Sequence, residues 1–394
     1  MVRTMNPTSP GSARFRVLIV AYSARMLAEL ALADGYRVVT VDYFGDRDLR
    51  QWCAGQSVRH DLRVRTFRAD DLGTLAETVA ADAVVYGGAL ENAPAVIARL
   101  CRDRMLWGNS PETLHAIRDP FRLAEIVRKT DCAFPETIPP HAPLPHPHTS
   151  TWLVKPIHSG GGRGVYIWDG ASLPEQSYIQ RYVPGMVGSV VFVANGRDAR
   201  ILAVTEQLVG ITNWGAAAFA YCGNLVPPRG SVQVWTRVID TVRPLVHRLT
   251  RVFGLRGING VDFVWDAARV WVLEVNPRPP ASLEVIARLT GWPVFHWHVQ
   301  ACRGMLPQVD PAVPAERAAG KAVVYAQYDI RIGDTSDWMR ADMRDIPYPR
   351  EVIPKGHPVC TVLADAPTPD ACLRVLHARV RAVQDQLHQW ACTT

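Results

Sequence analysis

Paired cysteines, a long apolar run and a block of like charges are all missing from this chain. Its eight cysteines are scattered, and no two of them form a Cys-x-x-Cys pair. We therefore expect reduced, mostly buried thiols rather than disulfides or a zinc site. No apolar stretch reaches the length that spans a membrane. Residues 1–13 are polar and lack the apolar core of a signal peptide, which predicts a disordered tail. These absences favour a cytoplasmic protein without a membrane partner.

The charge of the chain is modestly positive. Lysine and arginine total 43 against 37 acidic residues, a net charge of +6. No long basic run occurs, so the sequence does not call for a nucleic-acid partner. A small basic excess suits a chain that binds a nucleotide and a carboxylate. With 394 residues, 48% of them hydrophobic, the chain is long enough for two or three packed units.

The N-terminal part lacks the glycine-rich turn of a dinucleotide-binding domain. Apolar runs at 16–22 and 37–42 predict buried parallel strands. The helix between them, 24–33, would have Ser23 as its N-cap. Another strand, at 81–88, continues a βαβ rhythm that predicts a small doubly wound domain. Because the first turn contains no glycine, we do not expect it to bind a dinucleotide.

Four residues lie at the carboxyl end of the strand predicted at 81–88 or shortly after it. Ligands bind at the carboxyl ends of strands in open α/β sheets. The candidate substrate contacts there are Gly87, Gly88, Glu91 and Asn92.

Two groups of histidines lack the spacing of a metal site. Three histidines fall in the proline-rich segment 136–150, which we interpret as a solvated linker. His296 and His298 stand two residues apart in a predicted helix and therefore do not share a face. We expect a structural role for both groups.

A predicted hairpin carries oxygen ligands at regular spacing. The segments 260–265 and 271–276 read as two strands joined by a tight turn. Glu274 and Asn276 are two residues apart and leave the same face, and the hairpin would place Asp262 beside Glu274. Oxygen ligands on one face suit a hard cation such as Mg²⁺. The alternative is an ordinary hairpin with scattered polar residues.

A glycine-rich loop between two other strands resembles a cover for phosphate groups. The segment 151–156 predicts a strand with Lys155 near its end, and a second short strand is expected at 165–168. The loop between them, 159–164, has glycines that let backbone N–H groups approach an anion. It is not a Walker A loop, since no Gly-Lys-Ser/Thr closes it, and a strand rather than a helix follows it. A flexible hairpin loop is the alternative.

Together these blocks resemble the ATP-grasp superfamily. The nearest likeness is to its biotin-carboxylase-like members and to the predicted ATP-dependent carboligases related to them. The resemblance covers roughly Arg14 to the C-terminus and rests on four features in the family's order. They are Lys155, the glycine loop 159–164, the hinge strand 178–185, and Asp262 followed by the Glu-x-Asn-x-Arg motif that ends at Arg278.

The resemblance implies a fold of mixed α/β and α+β class. A small doubly wound domain would precede an ATP-grasp fold, in which ATP lies between two α+β subdomains. The implied divisions are a Rossmann-like domain at 14–115, a small subdomain with the glycine flap at 116–185, a large subdomain with the metal site at 186–310, and a closing C-terminal region at 311–394.

The resemblance also implies roles for individual residues. Lys155 would bind the ATP phosphates and, with Arg278, serve catalysis by steadying the transferred phosphate. The implied cofactors are ATP and Mg²⁺ or Mn²⁺. The remaining expected nucleotide contacts are Ser159, Gly160, Gly161, Gly162 and Gly164 in the flap and Gln180, Arg181 and Val183 in the hinge, and the expected metal ligands are Asp262, Glu274 and Asn276.

Two departures from the family pattern stand out. The hinge commonly starts with glutamate, where this chain has Gln180, which still accepts a hydrogen bond but carries no charge. The family usually has another phosphate-binding lysine before the flap, and the corresponding segment 110–122 contains none. Arg118 and Arg122 are the candidates to replace it, and the sequence does not choose between them.

The function implied by the resemblance is that of an ATP-dependent carboxylate–amine ligase. It would form an acyl phosphate on a small metabolite, so the expected partners are a small-molecule carboxylate and an amine. A homodimer is left open. One alternative is an ATP-dependent carboxylase that activates bicarbonate, although no convincing match to the remaining biotin and bicarbonate residues is present. Another alternative is a nucleotide-binding protein without turnover.

A finer likeness concerns the pathway. The segments 20–25 and 274–284 look like carboligases of methanogens and of bacteria with tetrahydromethanopterin-linked one-carbon metabolism. This similarity suggests a role in making a pterin or methylofuran cofactor, where glutamate-like units join through amides.

Overall fold

The computed structural model describes residues 15–140, 142–145, 150–308 and 317–392. The predicted tail, 1–13, and part of the predicted linker, at 141 and 146–149, lie outside the described residues. In the described part of the chain, no helix is long and apolar enough to cross a membrane.

The N-terminal unit is a five-stranded parallel sheet with helices. The strand order across the sheet is β3-β2-β1-β4-β5. Successive strands are therefore added to one side of β1 up to β3 and to its other side from β4 onward. Ser23 is not the predicted N-cap: Ala24 holds that position without a side-chain cap, and the Ser23 hydroxyl donates to Asp345 instead. The elements are β1 Arg16–Ala21, α1 Arg25–Ala33, β2 Arg37–Asp42, α2 Arg47–Trp52, β3 Gly55–Ser57, α3 Ala69–Glu77, β4 Ala83–Tyr86, a 3-10 turn Leu90–Asn92, α4 Pro94–Leu100 and β5 Met105–Leu106.

Two short helices lead to a small sheet of four strands. The sheet has the antiparallel order β6-β9-β7-β8. The linker interpretation of 136–150 is wrong at its start, because Thr137 and Ile138 pair with the hinge strand. The elements are α5 Pro111–Ile117, α6 Pro120–Val127, β6 Thr137–Ile138, β7 Trp152–Pro156, β8 Tyr166–Ile167 and β9 Ser177–Arg181.

An eight-stranded antiparallel sheet makes up most of the rest of the fold. Its strand order is β14-β13-β10-β11-β12-β15-β19-β17, and β16 pairs with β18 separately. The strands are β10 Met186–Asn195, β11 Ala199–Val209, β12 Tyr221–Val226, β13 Arg256–Trp265, β14 Val270–Asn276, β15 Ala318–Tyr325, β16 Ile330–Arg331, β17 Met343–Arg344, β18 Val352–Ile353 and β19 Pro358–Ala366.

Helices cover both faces of this large sheet. A 22-residue helix packs its apolar stripe, which includes Val238, Val242 and Leu249, against the buried residues of β10 and β11. Two short helices bury Ile286 and Val294 on the opposite face, and the last helix packs on β15 and β19. These helices are α7 Val232–Phe253, α8 Leu283–Thr290, α9 Val294–Cys302 and α10 Pro369–Cys392.

The histidine pair of α9 is structural, as expected. His298 is buried; its Nδ1 accepts from the Ile258 backbone N–H at 2.9 Å, and its Nε2 lies 3.1 Å from the Trp107 carbonyl oxygen. His296 instead lies 3.0 Å from the Tyr36 hydroxyl. Both rings therefore join α9 to other parts of the fold.

Candidate active site

The acid pair of the predicted hairpin forms as the sequence indicates. Asp262 of β13 lies directly opposite Glu274 of β14 in the antiparallel register, beside a bulge at Phe263. The Asn276 amide donates to Asp262 Oδ2 at 2.9 Å. All three side chains line one cavity of about 300 Å³ between the small and the large sheet.

The acid pair has the electrostatics of a cation site. Burial, and then the neighbouring Glu274 carboxylate, raise the pKa of Asp262 to about 6. Asp262 Oδ1 is buried and no donor among the described residues meets hydrogen-bond geometry with it, although Ser189 and Gln207 lie close enough to lower the pKa of Asp262. A hard cation would satisfy that oxygen and offset the repulsion between the carboxylates. No cluster of three or more His, Cys, Asp or Glu side chains suited to a metal occurs in the described residues.

Lys155 enters the cavity from the end of β7. Its Nζ donates to Gln180 Oε1 at 3.1 Å, and the Gln180 amide donates in turn to Thr137 Oγ1 at 3.0 Å. The neutral Gln180 therefore orients the lysine without cancelling its charge, which a glutamate would do. That charge remains free to attract a phosphate.

The glycine flap lies over the cavity and is held from three directions. The Ser159 carbonyl accepts from Arg118 Nη2 at 2.8 Å and from Asn92 Nδ2 at 3.4 Å, and the Gly161 carbonyl accepts from the Tyr221 backbone N–H at 3.0 Å. Gly162 has a φ of +75°, and a Cβ there would stand 1.7 Å from the Phe219 carbonyl oxygen. The flap closes this tightly because glycine occupies that position.

One expected flap residue does not reach the cavity. Gly164 turns away from it and lies against Pro156. The other expected nucleotide contacts all line the cavity wall, namely Lys155, Ser159, Gly160, Gly161, Gly162, Gln180, Arg181 and Val183.

The structure separates the two candidate replacements for the missing lysine. Arg118 lines the cavity, and its Nη1 lies 3.4 Å from Glu274 Oε2. The Arg122 guanidinium instead stacks 5.0 Å over the Phe253 ring and is not part of the lining. Arg118 follows α5 directly, so the break between α5 and α6 aims it at the acid pair.

Arg278 is fixed by the N-terminal unit as well as by its own strand. Its Nε donates to Glu91 Oε1 at 2.9 Å, and its Nη2 donates to Asn276 Oδ1 at 3.2 Å. Burial alone would lower the pKa of Arg278, but the carboxylates of Glu91, Asp262 and Glu274 raise it above its ordinary value. The preceding Pro277 carbonyl accepts from the Tyr86 hydroxyl at 3.1 Å.

Some cavity residues were not found from the sequence. The loop and strand after β11 contribute Phe219, Tyr221 and Asn224. On β11, Gln207 also lines the cavity, whereas Glu206 beside it faces away and binds Arg229. Alternation along β11 is the signal that separates Gln207 from Glu206 once the cavity face is known.

Comparison with known proteins agrees with this geometry. Residues 117–282 match the family model described as the ATP-grasp domain. The arginine-specific large chain of carbamoyl phosphate synthase from Bacillus subtilis is 24% identical over 173 residues, which is 41% of this chain and 16% of that protein. The formate-dependent phosphoribosylglycinamide formyltransferase of Burkholderia pseudomallei is 26% identical over 189 residues, 45% of this chain and 46% of that protein. The chain thus spans less than half the length of both relatives.

Several solved structures share the fold over nearly the whole chain. Biotin carboxylase from Campylobacter jejuni gives a TM-score of 0.66 at 12% identity and covers 91% of this chain and 89% of its own. The L-amino acid ligase of Bacillus licheniformis gives a TM-score of 0.66 at 12% identity, and the match covers 93% of this chain and 97% of the ligase. The N5-carboxyaminoimidazole ribonucleotide synthetase of Thermotoga maritima gives a TM-score of 0.63 at 16% identity, and the match covers 92% of this chain and 98% of the synthetase. At these identities the likeness establishes the fold, and it confirms the predicted fold class.

Proposed function

We propose that this chain, built on the ATP-grasp fold, is an ATP-dependent carboxylate–amine ligase. It would activate a small carboxylate as an acyl phosphate and then join it to an amine. The observation that carries the proposal is the meeting of Arg118, Lys155 and Arg278 with the Asp262–Glu274 pair in one flap-covered cavity. Phosphoryl transfer needs such a setting, because negative charge is spread over the phosphate oxygens in its transition state.

The nucleotide would bind along the length of this cavity. Backbone groups of Arg181 and Val183 in the hinge would hold adenine, while Lys155, Arg118 and the flap would hold the phosphates. A Mg²⁺ or Mn²⁺ ion bound by Asp262 and Glu274 would supply further neutralisation of the phosphate charge. The Asn276 amide donates to Asp262 here, and it would turn to offer its oxygen as the third expected ligand. Arg278, oriented by Glu91, would steady the transferred group.

The flap has a second part in this proposal. An acyl phosphate is readily hydrolysed, so a site that forms one must exclude water until the amine attacks. The flap covers the cavity through backbone contacts with Tyr221 and side-chain contacts with Arg118 and Asn92. A closed flap would thus couple nucleotide binding to protection of the intermediate.

Mg²⁺-dependent ADP release from ATP tests the proposal. The chain would be assayed with a panel of carboxylates, each with and without amines and bicarbonate. We expect ADP release that requires one carboxylate and one amine, and its loss in Glu274→Ala. The matched control is Glu125→Ala, since Glu125 is exposed on α6 and does not line the cavity. Equal activity in Glu274→Ala and wild type would contradict the assigned site.

The same assay separates the alternatives. Bicarbonate-dependent ADP release without an amine would indicate the carboxylase that the fold likeness to biotin carboxylase also allows. Nucleotide binding without ADP release across the panel would indicate a binder without turnover.

The pathway assignment is a finer part of the proposal. A role in making a pterin or methylofuran cofactor rests on the segments 20–25 and 274–284 alone. Product analysis by mass spectrometry with glutamate and such precursors should show a new amide. If neither an amide nor a glutamyl product forms, the pathway assignment is wrong, and the ligase proposal is unaffected.

A further inference from the structure

An acid that is paired with Arg278 through only one of its two oxygens lies at the carboxyl edge of the N-terminal sheet. Glu91 follows β4, beside the point where the strand order reverses. Its Oε1 accepts from Arg278, but its Oε2 is buried and has no hydrogen-bonding partner among the described residues. The Glu91 side chain is only 1% exposed. A buried carboxylate oxygen without a donor is costly, so a ligand that supplies a donor would be bound favourably.

Asn92 presents a second unpaired acceptor next to it. Its Nδ2 donates to the Ser159 carbonyl in the flap, while its Oδ1 is buried without a partner in the described part of the chain. Both orphaned atoms accept hydrogen bonds, and one of them carries negative charge. The ligand group that matches two acceptors and a negative charge is an ammonium.

The flap lies beside this acid as well as over the nucleotide cavity. A Cβ placed on Gly160 would lie 3.9 Å from Glu91 Oε1, and one placed on Gly88 would lie 3.7 Å from the Arg278 guanidinium carbon. Glu91 therefore stands beside both the flap and the arginine assigned to the transferred phosphate. An amine bound to Glu91 would thus lie next to the flap and to the arginine assigned to the transferred phosphate.

We propose that Glu91 and Asn92 bind the acceptor amine and that Glu91 is its general base, an inference that rests on the proposed ligase function. An amine that arrives as an ammonium ion has no free electron pair and cannot attack. Glu91 Oε2 would take one proton from it. The nitrogen electron pair then forms the bond to the acyl carbon, and the bond from that carbon to the phosphate oxygen breaks. The departing phosphate takes the second proton, so the products are an amide, phosphate and a proton that Glu91 later releases to water.

A comparison of two nucleophiles tests this role. Hydroxylamine is largely uncharged at neutral pH and traps acyl phosphates as hydroxamates without a base. Because Glu91 also orients Arg278, any loss of acyl phosphate formation in Glu91→Gln lowers hydroxamate and amide alike, and the ratio of amide to hydroxamate isolates the base. With ammonium chloride or a primary amine, we expect this ratio to fall by about 100-fold, the usual scale of general-base catalysis. The two amine sources are run separately, to show whether ammonia or an organic amine is the acceptor.

The pH profile supplies a readout that a structural role would not change. The amide-forming rate of Glu91→Gln should rise with pH relative to wild type, because more of the amine is already deprotonated. Glu125→Gln is the matched control and should behave as wild type in both assays. If Glu91→Gln lowers the melting temperature, Glu91→Ala with added formate as an external base replaces it, and formate should restore amide formation.

The outcomes separate this inference from the ligase proposal. Equal loss of hydroxamate and amide in Glu91→Gln would mean that Glu91 only positions Arg278, and would overturn the amine site alone. An unchanged amide rate would overturn it as well. Absence of any carboxylate-dependent hydroxamate from the wild-type protein would overturn the ligase proposal and this inference with it.

Discussion

Arg118 and Arg122 stand four residues apart and have the same chemistry, yet they occupy different surroundings. Arg118 is 10% exposed, binds the flap carbonyl of Ser159 and approaches Glu274. Arg122 packs its guanidinium on an aromatic ring. Of the two candidates, Arg118 is therefore the one that reaches the cavity, where it supplies charge in a planar, fixed form.

Replacing each arginine gives a matched test at the residue scale. We expect Arg118→Ala to weaken MgADP binding by roughly ten- to 100-fold, since a charged hydrogen bond contributes about 1.5–3 kcal/mol and 1.4 kcal/mol is tenfold in affinity. Arg122→Ala should bind MgADP as wild type does. Isothermal titration calorimetry measures both, and equal weakening in the two variants would argue against Arg118 as the phosphate contact.

A second residue-scale prediction concerns the pH dependence of stability. Burial lowers the pKa of His298 from 6.5 to about 4. In the unfolded chain this residue takes up a proton as the pH falls through 6.5, whereas in the folded chain it stays neutral until about 4. Its contribution to the free energy of unfolding is thus fully present above pH 6.5 and is lost between pH 6.5 and 4.

Urea unfolding at pH 7.5 and 5.0 measures this loss. We expect His298 to account for a decrease on the order of 2 kcal/mol between the two pH values, at 1.36 kcal/mol per pH unit below 6.5. His298→Gln removes the titrating group. Between pH 7.5 and 5.0 the free energy of unfolding of this variant should therefore fall by about 2 kcal/mol less than that of wild type, even though the variant is less stable overall. The same decrease in both proteins would show that other groups cause the pH dependence.

At the scale of single elements, the flap depends on one backbone position. Gly162 has positive φ and abuts the Phe219 carbonyl, whereas Gly160 has ordinary φ and open space, with its nearest contact at 3.9 Å. Alanine at 162 would meet both a disfavoured conformation, at about 1–2 kcal/mol, and a direct clash. Alanine at 160 would meet neither.

Limited proteolysis distinguishes these two substitutions. Arg163 is exposed within the flap and is a trypsin site. We expect MgADP to slow cleavage after Arg163 in wild type and in Gly160→Ala, but much less in Gly162→Ala, because its flap cannot reach the closed position. Equal protection of all three proteins would show that the closed flap tolerates a Cβ at 162.

The elements show what sequence reasoning could and could not predict. The Asp262–Glu274 pair follows from a twelve-residue spacing across one tight turn, and the hinge strand and flap are equally local. In contrast, Arg278 and Glu91 are 187 residues apart in the sequence, and Glu274 and Arg118 are 156 residues apart. Those contacts depend on how the N-terminal sheet and the helices α5 and α6 pack on the hairpin, which no local pattern encodes. The strand at Thr137–Ile138 was missed for a similar reason, because its partner is the distant hinge strand.

At the scale of the whole molecule, a buried ionic network joins three parts of the chain. Arg25 of α1 binds Glu284 of α8, and its Nε lies 3.0 Å from Asp345 Oδ1. Lys321 of β15 binds the other Glu284 oxygen at 2.8 Å. Burial would raise the pKa of Glu284, but Arg25 and Lys321 lower it well below its usual value. The network therefore stays charged and ties the N-terminal sheet to the sheet that carries the acid pair.

Removing Arg25 should loosen the molecule at this junction. Arg25→Met keeps much of the side-chain volume, but it leaves the buried Glu284 with Lys321 alone and takes the arginine from Asp345, which is 25% exposed. Loss of one partner from a buried ion pair costs about 3–5 kcal/mol. Arg251→Met is the control, because Arg251 pairs with Asp198 while 68% exposed, and exposed pairs contribute about 1 kcal/mol or less. We expect urea unfolding to shift strongly for Arg25→Met and hardly for Arg251→Met.

Because Glu91 reaches Arg278 only when the N-terminal sheet is docked, Arg25→Met should also lose ADP release at urea concentrations where the large sheet is still folded. Loss of activity and of the large sheet at the same urea concentration would instead show that the two sheets unfold as one unit.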